Sequence, residues 1–327
     1  MKKTLLASLL ALAGATPALA ADNVTLYGLL NVGYVWSDNG TTKQHKIDSL
    51  YTGSRIGFKG TEDLGGSTKA FFQIEQHIAV DDASQSGFAT REGWVGLQGD
   101  FGKFGLGRGK TPYTNLADIF DIFDGSNGLS LPAYDRLTTS RFHNSVRYDT
   151  PTMGGVSGAL MYSFGENKAA GVKSSDKFSG SLKFSQGPVM VGTAYNQERN
   201  LGANNRKNEA FLLGGTFKID TVTLGAAWQR GQKRNPAAGV SKDRRDAILA
   251  NVAVDVSQVT LEAGAIVGLD KRINGSKIND SDYVRYALGA KYNLSKRTGA
   301  YVEFAGDDNS GGVPDTRFFT LGVIHLF

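Results

Sequence analysis

Apolar and polar residues alternate along most of this chain with a period of two. From Val156 to Phe164, the residues Val156, Leu160, Tyr162 and Phe164 share one face, and Ser157, Ala159 and Ser163 share the other. Phe178, Leu182 and Phe184 oppose Lys177, Ser179, Ser181 and Lys183 in the same way. Ile248, Val252, Val254 and Val256 oppose Asn251 and Asp255, and Val284, Tyr286, Leu288, Ala290 and Tyr292 oppose Arg285, Gly289, Lys291 and Asn293. Successive side chains of an extended strand point to opposite faces, so each segment has one apolar and one wet face. Such segments start near residues 24, 47, 67, 88, 101, 142, 155, 177, 188, 208, 221, 244, 257, 282, 298 and 316, which predicts sixteen strands.

The connections carry independent information. Short ones fall at Glu62 to Gly66, Gly99-Asp100, Pro151 to Gly154, Gln186-Gly187, Asp220, Ser257 and Ser295-Lys296. Long ones fall near residues 37–46, 80–87, 111–141, 166–176, 199–207, 232–243, 270–281 and 306–315. Tight turns at one end and longer loops at the other, in strict alternation, are the pattern of a transmembrane barrel, and a soluble β-sandwich has no reason to keep it. The expected fold class is all-β: a 16-stranded antiparallel transmembrane β-barrel with both chain ends on the periplasmic side. The third loop, about 111–141, is far longer than most and carries Tyr113, Leu116, Ile119, Phe120, Ile122, Phe123, Leu129, Leu131 and Tyr134. Apolar content of that kind needs a surface to pack on, and the nearest is the inner wall, so this long loop is expected to fold inward as a constriction.

The start of the chain changes the picture of where it acts. Lys2 and Lys3 precede an apolar stretch from Leu5 to Ala15 and then Ala18-Leu19-Ala20, the pattern of a signal peptide over residues 1–20, with residues 21–327 as one barrel domain. The chain has no cysteine, so an exported protein of this size relies on packing and backbone pairing. Glycine is abundant at 42 of 327 residues, which suits a barrel with one wet face. Removing Lys2 and Lys3 lowers the formal charge from +5 to +3, too little to argue for nucleic acid, and no basic run with interleaved aromatics appears.

Parity also sorts the charges. A basic side chain facing lipid costs about 2 to 4 kcal/mol at mid-membrane, whereas one facing a wet lumen costs little. Arg55 and Lys59, which oppose Ile56 and Phe58, are therefore expected inside, with Lys69, Arg147, Lys183, Arg285 and Lys291 and with Glu75, Glu262 and Glu303. Arg91 is counted with them although it shares a face with Val95 and Leu97 while Glu92 and Trp94 take the other. Eight bases against three acids in a narrow lumen favour anions. Asp118, Asp121 and Asp124 of the long loop are candidates to oppose that basic wall across the opening. Tyr148, Tyr162, Phe184, Phe217, Trp228 and Tyr292 fit outward aromatic girdles, and Phe319, Leu321, Val323, His325 and Phe327 form a terminal lipid-facing ridge.

Other chemistry is not expected. The four histidines have no G-x-S-x-G partner motif, so no catalytic site is expected, and no ligand spacing suggests a metal or cofactor. The glycine run Gly105 to Gly109 follows a strand but leads into a polar loop with Pro112 rather than a helix, which argues against dinucleotide binding. Inward positions read as mostly small, polar or charged, and Tyr27, Phe71 and Tyr301 are too few for an aromatic sugar-stacking ladder.

Val24 to Gly28, Ser54 to Gly66, Arg91 to Gly109 with Thr111-Pro112, Asn144 to Pro151, Leu294 to Thr298 and the ending Gly322 to Phe327 together resemble the trimeric general porins of the Gram-negative outer membrane, especially those of beta-proteobacteria and neisserial type. The resemblance runs the whole mature length. It implies an outer-membrane diffusion channel for ions and small hydrophilic solutes, working as a homotrimer without cofactors, in contact with outer-membrane lipid and lipopolysaccharide. It also implies a pore eyelet in which Arg55, Arg91 and Arg147 are the wall arginines, and a terminal Phe327 read by the assembly machinery, with His325 a departure from the usual pattern two residues before the end. The competing readings are a plugged adhesin or structural barrel and a substrate-specific channel.

Overall fold

The computed structural model describes residues 24–50, 53–82, 87–123, 138–166, 173–202, 205–235 and 239–327. Residues 1–20, Asp124, and the loop residues Leu129, Leu131 and Tyr134 lie outside the described residues. One sheet of nineteen strand segments forms the molecule. Lys43–Ser49 and Arg55–Gly65 both pair with the first strand and make one wall strand, and Arg272–Ile273 with Ser276–Lys277 make a small hairpin in an external loop. That leaves sixteen wall strands, as the alternation predicts.

They are β1 (Thr25–Asp38), β2 (Lys43–Ser49 with Arg55–Gly65), β3 (Thr68–His77), β4 (Glu92–Gly99), β5 (Gly102–Lys110), β6 (Arg141–Asp149), β7 (Val156–Ser163) and β8 (Lys177–Gln186). The wall continues with β9 (Val189–Leu201), β10 (Arg206–Ile219), β11 (Val222–Asn235), β12 (Val240–Val256), β13 (Val259–Gly268), β14 (Tyr283–Asn293), β15 (Thr298–Asn309) and β16 (Thr316–Leu326). Observed starts differ from the expected ones by at most four residues. All pairings are antiparallel, and β1 pairs with β16 from Leu29↔Leu326 to Asp38↔Arg317, which closes the barrel. Gly28 N–H donates to Phe327 O at 2.9 Å and Phe327 N–H to Gly28 O at 3.1 Å, so the last residue completes the seam. Closure removes sheet edges and satisfies the backbone internally, as a hydrocarbon environment demands.

The periplasmic turns are tight. Between β2 and β3, Gly66 (φ 59°) and Ser67 (φ 64°) supply the left-handed pair that a two-residue hairpin favours. Three external connections, 39–42, 202–205 and 236–239, are four residues each and correct the longer loops expected there. The strands continue pairing above the apolar band, where Gln197, Arg199, Lys207, Gln232 and Arg234 leave no hydrophobic alternation to mark them.

Outward positions are apolar and exposed on this isolated wall: Val95, Leu97, Phe104, Leu106, Leu160, Leu213, Leu288 and Leu321 all face out. A water-soluble surface would not tolerate a continuous band of this kind, and lipid does. Inward positions split into two classes. On β9 to β14 they include Met190, Leu212, Leu249 and Ile266, all buried, which corrects the expectation of a mostly small, polar or charged lumen. They are buried because the third loop covers them. Its first turn is a helix, α1 (Pro112–Ile119), capped by Thr111, whose Oγ1 accepts from Thr114 N–H at 3.1 Å. The glycine run is thus followed by a helix, contrary to expectation. The run itself is wall strand, paired on both sides, because inward Gly105 and Gly109 leave room for Trp94.

Tyr113, Leu116, Ala117 and Phe120 sit at helical spacing and pack with Phe123 onto that wall. Added Cβ atoms at Gly192 and Gly214 would lie 2.7 Å from Leu116 Cδ1 and 2.8 Å from Phe120 Cζ, so these glycines make the recess that receives the loop. Tyr113 Oη donates to Gln229 Oε1 at 2.7 Å and Asn251 Nδ2 donates to Phe120 O at 2.6 Å. The returning stem is tied too, with Thr111 N–H donating to Ser140 O at 3.0 Å and Thr139 N–H to Glu198 Oε1 at 2.8 Å.

Candidate functional site

Opposite the docked loop, the inner faces of β2 to β6 stay open and charged. Arg55, Arg91, Lys103, Lys110 and Arg147 line a cavity of about 380 Å³ together with Glu75, Glu92 and Asp149. Trp94, Phe71, Gln73 and Asn115 of α1 complete it. Five bases against three acids leave a positive excess, and just outside the lining Asp118 and Arg141 add one charge of each sign.

Carboxylates fix where the guanidinium groups stand. Glu75 is buried and shared: Arg91 Nε lies 2.6 Å from Oε1 and Arg55 Nε 3.8 Å from Oε2. Tyr27 Oη donates to the same carboxylate at 3.1 Å and accepts from Gln73 Nε2 at 2.8 Å. Arg147 meets Asp149 through both Nε, 2.8 Å from Oδ2, and Nη2, 2.6 Å from Oδ1, while its Nη1 donates to Lys110 O at 2.9 Å. The Asn115 amide, with its oxygen turned toward Arg147, accepts from both Nη atoms at 3.1 Å. Bidentate, charge-assisted contacts of this kind hold a long side chain in one geometry.

Arg91 points inward although alternation puts it with outward Val95 and Leu97. It precedes β4 in a bend where Ala89 has φ 57°, so strand parity does not reach it, and its N–H bonds Glu75 O at 3.1 Å. Lys59 lies one level lower, in a contiguous cavity of about 360 Å³ shared with Lys103, Gln73 and Phe71 and lined by no carboxylate. Lys103 Nζ stands 4.1 Å from the Phe71 ring centre and Lys59 Nζ 5.1 Å from that of Tyr27. Asp118 pairs with Lys110 from α1, so it bridges loop and basic wall rather than standing across the opening from it. Asp121 Oδ1 accepts from Phe123 N–H at 3.1 Å and turns the chain after the helix.

Sequence reasoning passed over Lys103, Lys110, Glu92 and Asp149. Parity alone could have found three of them, since Lys103 opposes outward Phe104 and Leu106, Glu92 takes the face opposite outward Val95 and Leu97, and Asp149 follows Arg147 by two. Lys110 sits beyond a register shift between Gly107 and Gly109, where parity fails.

The model of a Gram-negative porin family matches residues 6–312. The chain belongs to this porin family. Among curated relatives of this porin, the major outer membrane protein P.IB of Neisseria meningitidis serogroup B is 31% identical over 313 residues, covering 92% of each chain. Outer membrane porin protein 32 of Delftia acidovorans is 29% identical, covering 93% of this chain and 89% of the relative. A solved structure described as an anion-selective porin from Comamonas acidovorans superimposes with a TM-score of 0.83 at 22% identity, over 93% of this chain and 99% of that one, a likeness of fold. The trimer form of OmpT from Vibrio cholerae gives 0.74 at 18% identity, over 93% and 99%. This porin is an outer-membrane protein, and its barrel is a passive pathway for ions and small hydrophilic solutes.

Proposed function

We propose that this porin is an anion-preferring diffusion channel and works as a homotrimer, with Arg55, Arg91 and Arg147 as its eyelet. The observation that carries the reading is the one-sided constriction, five bases to three acids on β2 to β6 with an apolar loop helix closing the other side. Fixed charge of one sign in a narrow aqueous path raises the local concentration of the opposite ion. The solved porin from Comamonas acidovorans, similar in fold, is itself described as anion-selective. Residues 1–20 are removed on export, the finished trimer contacts outer-membrane lipid and lipopolysaccharide, and the β16 seam ending at Phe327 is the segment the assembly machinery reads.

Planar-bilayer recording of the purified protein under a salt gradient tests the reading. Conductance in groups of three steps with a reversal potential of the anion-preferring sign is the expected result. Steps of the opposite sign overturn the eyelet assignment, and no steps at all indicate a plugged barrel.

A further inference from the structure

Trp94 is a large, half-buried aromatic side chain on the open, charged wall, and ion selection makes no use of it. Outward Val95 and Leu97 turn it into the lumen, where its register neighbours are Gln73 of β3 and Gly107 of β5. A Cβ added at Gly105 would lie 3.3 Å from Trp94 Cε3, and one at Gly109 would lie 2.5 Å from Nε1. The side chains missing from β5 therefore let the indole lie flat on the wall. Its Nε1 donates to Glu92 Oε2 at 2.8 Å, and Glu92 Oε1 accepts from Lys110 N–H at 3.0 Å, so the polar edge is satisfied and the ring is pinned. One ring face rests on backbone, and the other lines the cavity of about 380 Å³. A ring fixed in this way has little freedom left to lose when a ligand stacks on it.

A base stands beside it. Phe71 shares the same glycine floor, with its Cζ 3.2 Å from a Cβ added at Gly105 and its Cε1 2.8 Å from one added at Gly96. Lys103 Nζ lies 4.1 Å from the Phe71 ring centre, so Trp94, Phe71 and Lys103 gather around Gly105. The other bases of the cavity are engaged. Arg55 and Arg91 share Glu75, Lys110 pairs with Asp118, and Arg147 spends its donors on Asp149, Lys110 O and Asn115. Lys103 Nζ makes no hydrogen bond or ion pair among the described residues.

We propose that Trp94 and Lys103 form a subsite for planar aromatic carboxylates, with the ring stacked on the indole face and the carboxylate against the Lys103 ammonium. Offset stacking adds to the apolar area that the two rings remove from water, and the carboxylate supplies a charge-assisted hydrogen bond to the ammonium. The positive excess of the cavity disfavours an aromatic cation, and a neutral aromatic has nothing to offer Lys103. The subsite rests on the anion-preferring reading and deepens it, since it names the organic anions that gain something beyond charge.

The test is single-channel recording of the full-length protein in planar bilayers, with benzoate, cyclohexanecarboxylate and benzyl alcohol as probes. Cyclohexanecarboxylate carries the same charge on a ring of similar size without a π face, and benzyl alcohol keeps the aromatic ring without the charge. Wild type is expected to show an apparent blocking affinity for benzoate about fivefold above that for cyclohexanecarboxylate, with benzyl alcohol weaker than either. W94L is expected to lose the preference between the two carboxylates, and W94F to keep most of it. The ratio is read within each channel, so a change of step size common to both probes cancels. K103Q is expected to weaken both carboxylates by about threefold and to leave their ratio in place. Equal block by the two carboxylates in wild type, or a ratio that survives in W94L, overturns the subsite. Unchanged block in K103Q overturns the assignment of the carboxylate to Lys103. The salt-gradient reversal potential of the same wild-type channels separates the two readings. A cation-preferring potential overturns the charge reading beneath the subsite, whereas an anion-preferring potential with equal block overturns the subsite alone.

Discussion

The two inner walls of this barrel obey the same alternation and do opposite things. On β2 to β6 the inward residues are Arg55, Glu75, Glu92, Lys103, Arg147 and Asp149, and the wall stays open to water around a cavity of about 380 Å³. On β9 to β14 they are Met190, Leu212, Leu249 and Ile266, and the third loop covers them. Leaving a side chain such as Leu212 in contact with a wet lumen forfeits about 1.5 to 3 kcal/mol relative to burial, so the apolar wall draws in the loop as its missing half-core. The charged wall has no such need. Width is thereby set from one side and charge from the other.

Substitutions can separate these two jobs, and crossed effects would break the comparison. Phe120→Ala removes a fully buried anchor of the loop and should weaken its docking by about 3 to 5 kcal/mol; noisier, larger single-channel steps with an unchanged reversal potential are expected. Gly192→Val drives a side chain against Leu116 from the wall and should cost about 1 to 3 kcal/mol of docking with the same electrical signature. Asp149→Asn removes the bidentate partner of Arg147 and should raise anion preference by up to about fivefold, the worth of one charge at close range in water, with step size nearly constant. Lys103→Gln should lower anion preference by about twofold or less, since salt screens a charge below the eyelet. A change of reversal potential in Phe120→Ala, or of docking in Asp149→Asn, would show that the walls do not divide the work.

Most of the architecture was legible because the period of two is strict where lipid meets one face. Sixteen strands follow from it, the inward loop follows from its own length and apolar content, and Arg55, Glu75 and Arg147 fall inside by parity alone. It was lost where the outer partner is water rather than lipid, as above Gln197 and Gln232, where polar residues on both faces make strand and loop look alike in the sequence. It was lost again at Arg91 and Lys110, which sit at a bend and a register shift. The helix from Pro112 to Ile119 was readable from Thr111-Pro112 and from the spacing of Tyr113, Leu116, Ala117 and Phe120. The apolar inner wall was visible in Leu212, Leu249 and Ile266, but its meaning needed the loop to be placed on it. Pairings such as Glu75 with both Arg55 and Arg91 join residues from separate strands, which no local pattern encodes.

The central claim is that fixed charge on the open wall decides which ions pass. The most direct measurement is the salt-gradient reversal potential of wild type beside Arg55→Glu with Arg147→Glu, both recorded from intact channels. The account predicts an anion-preferring potential that moves to cation preference in the double variant, with step size little altered. An identical potential in the two proteins would contradict it.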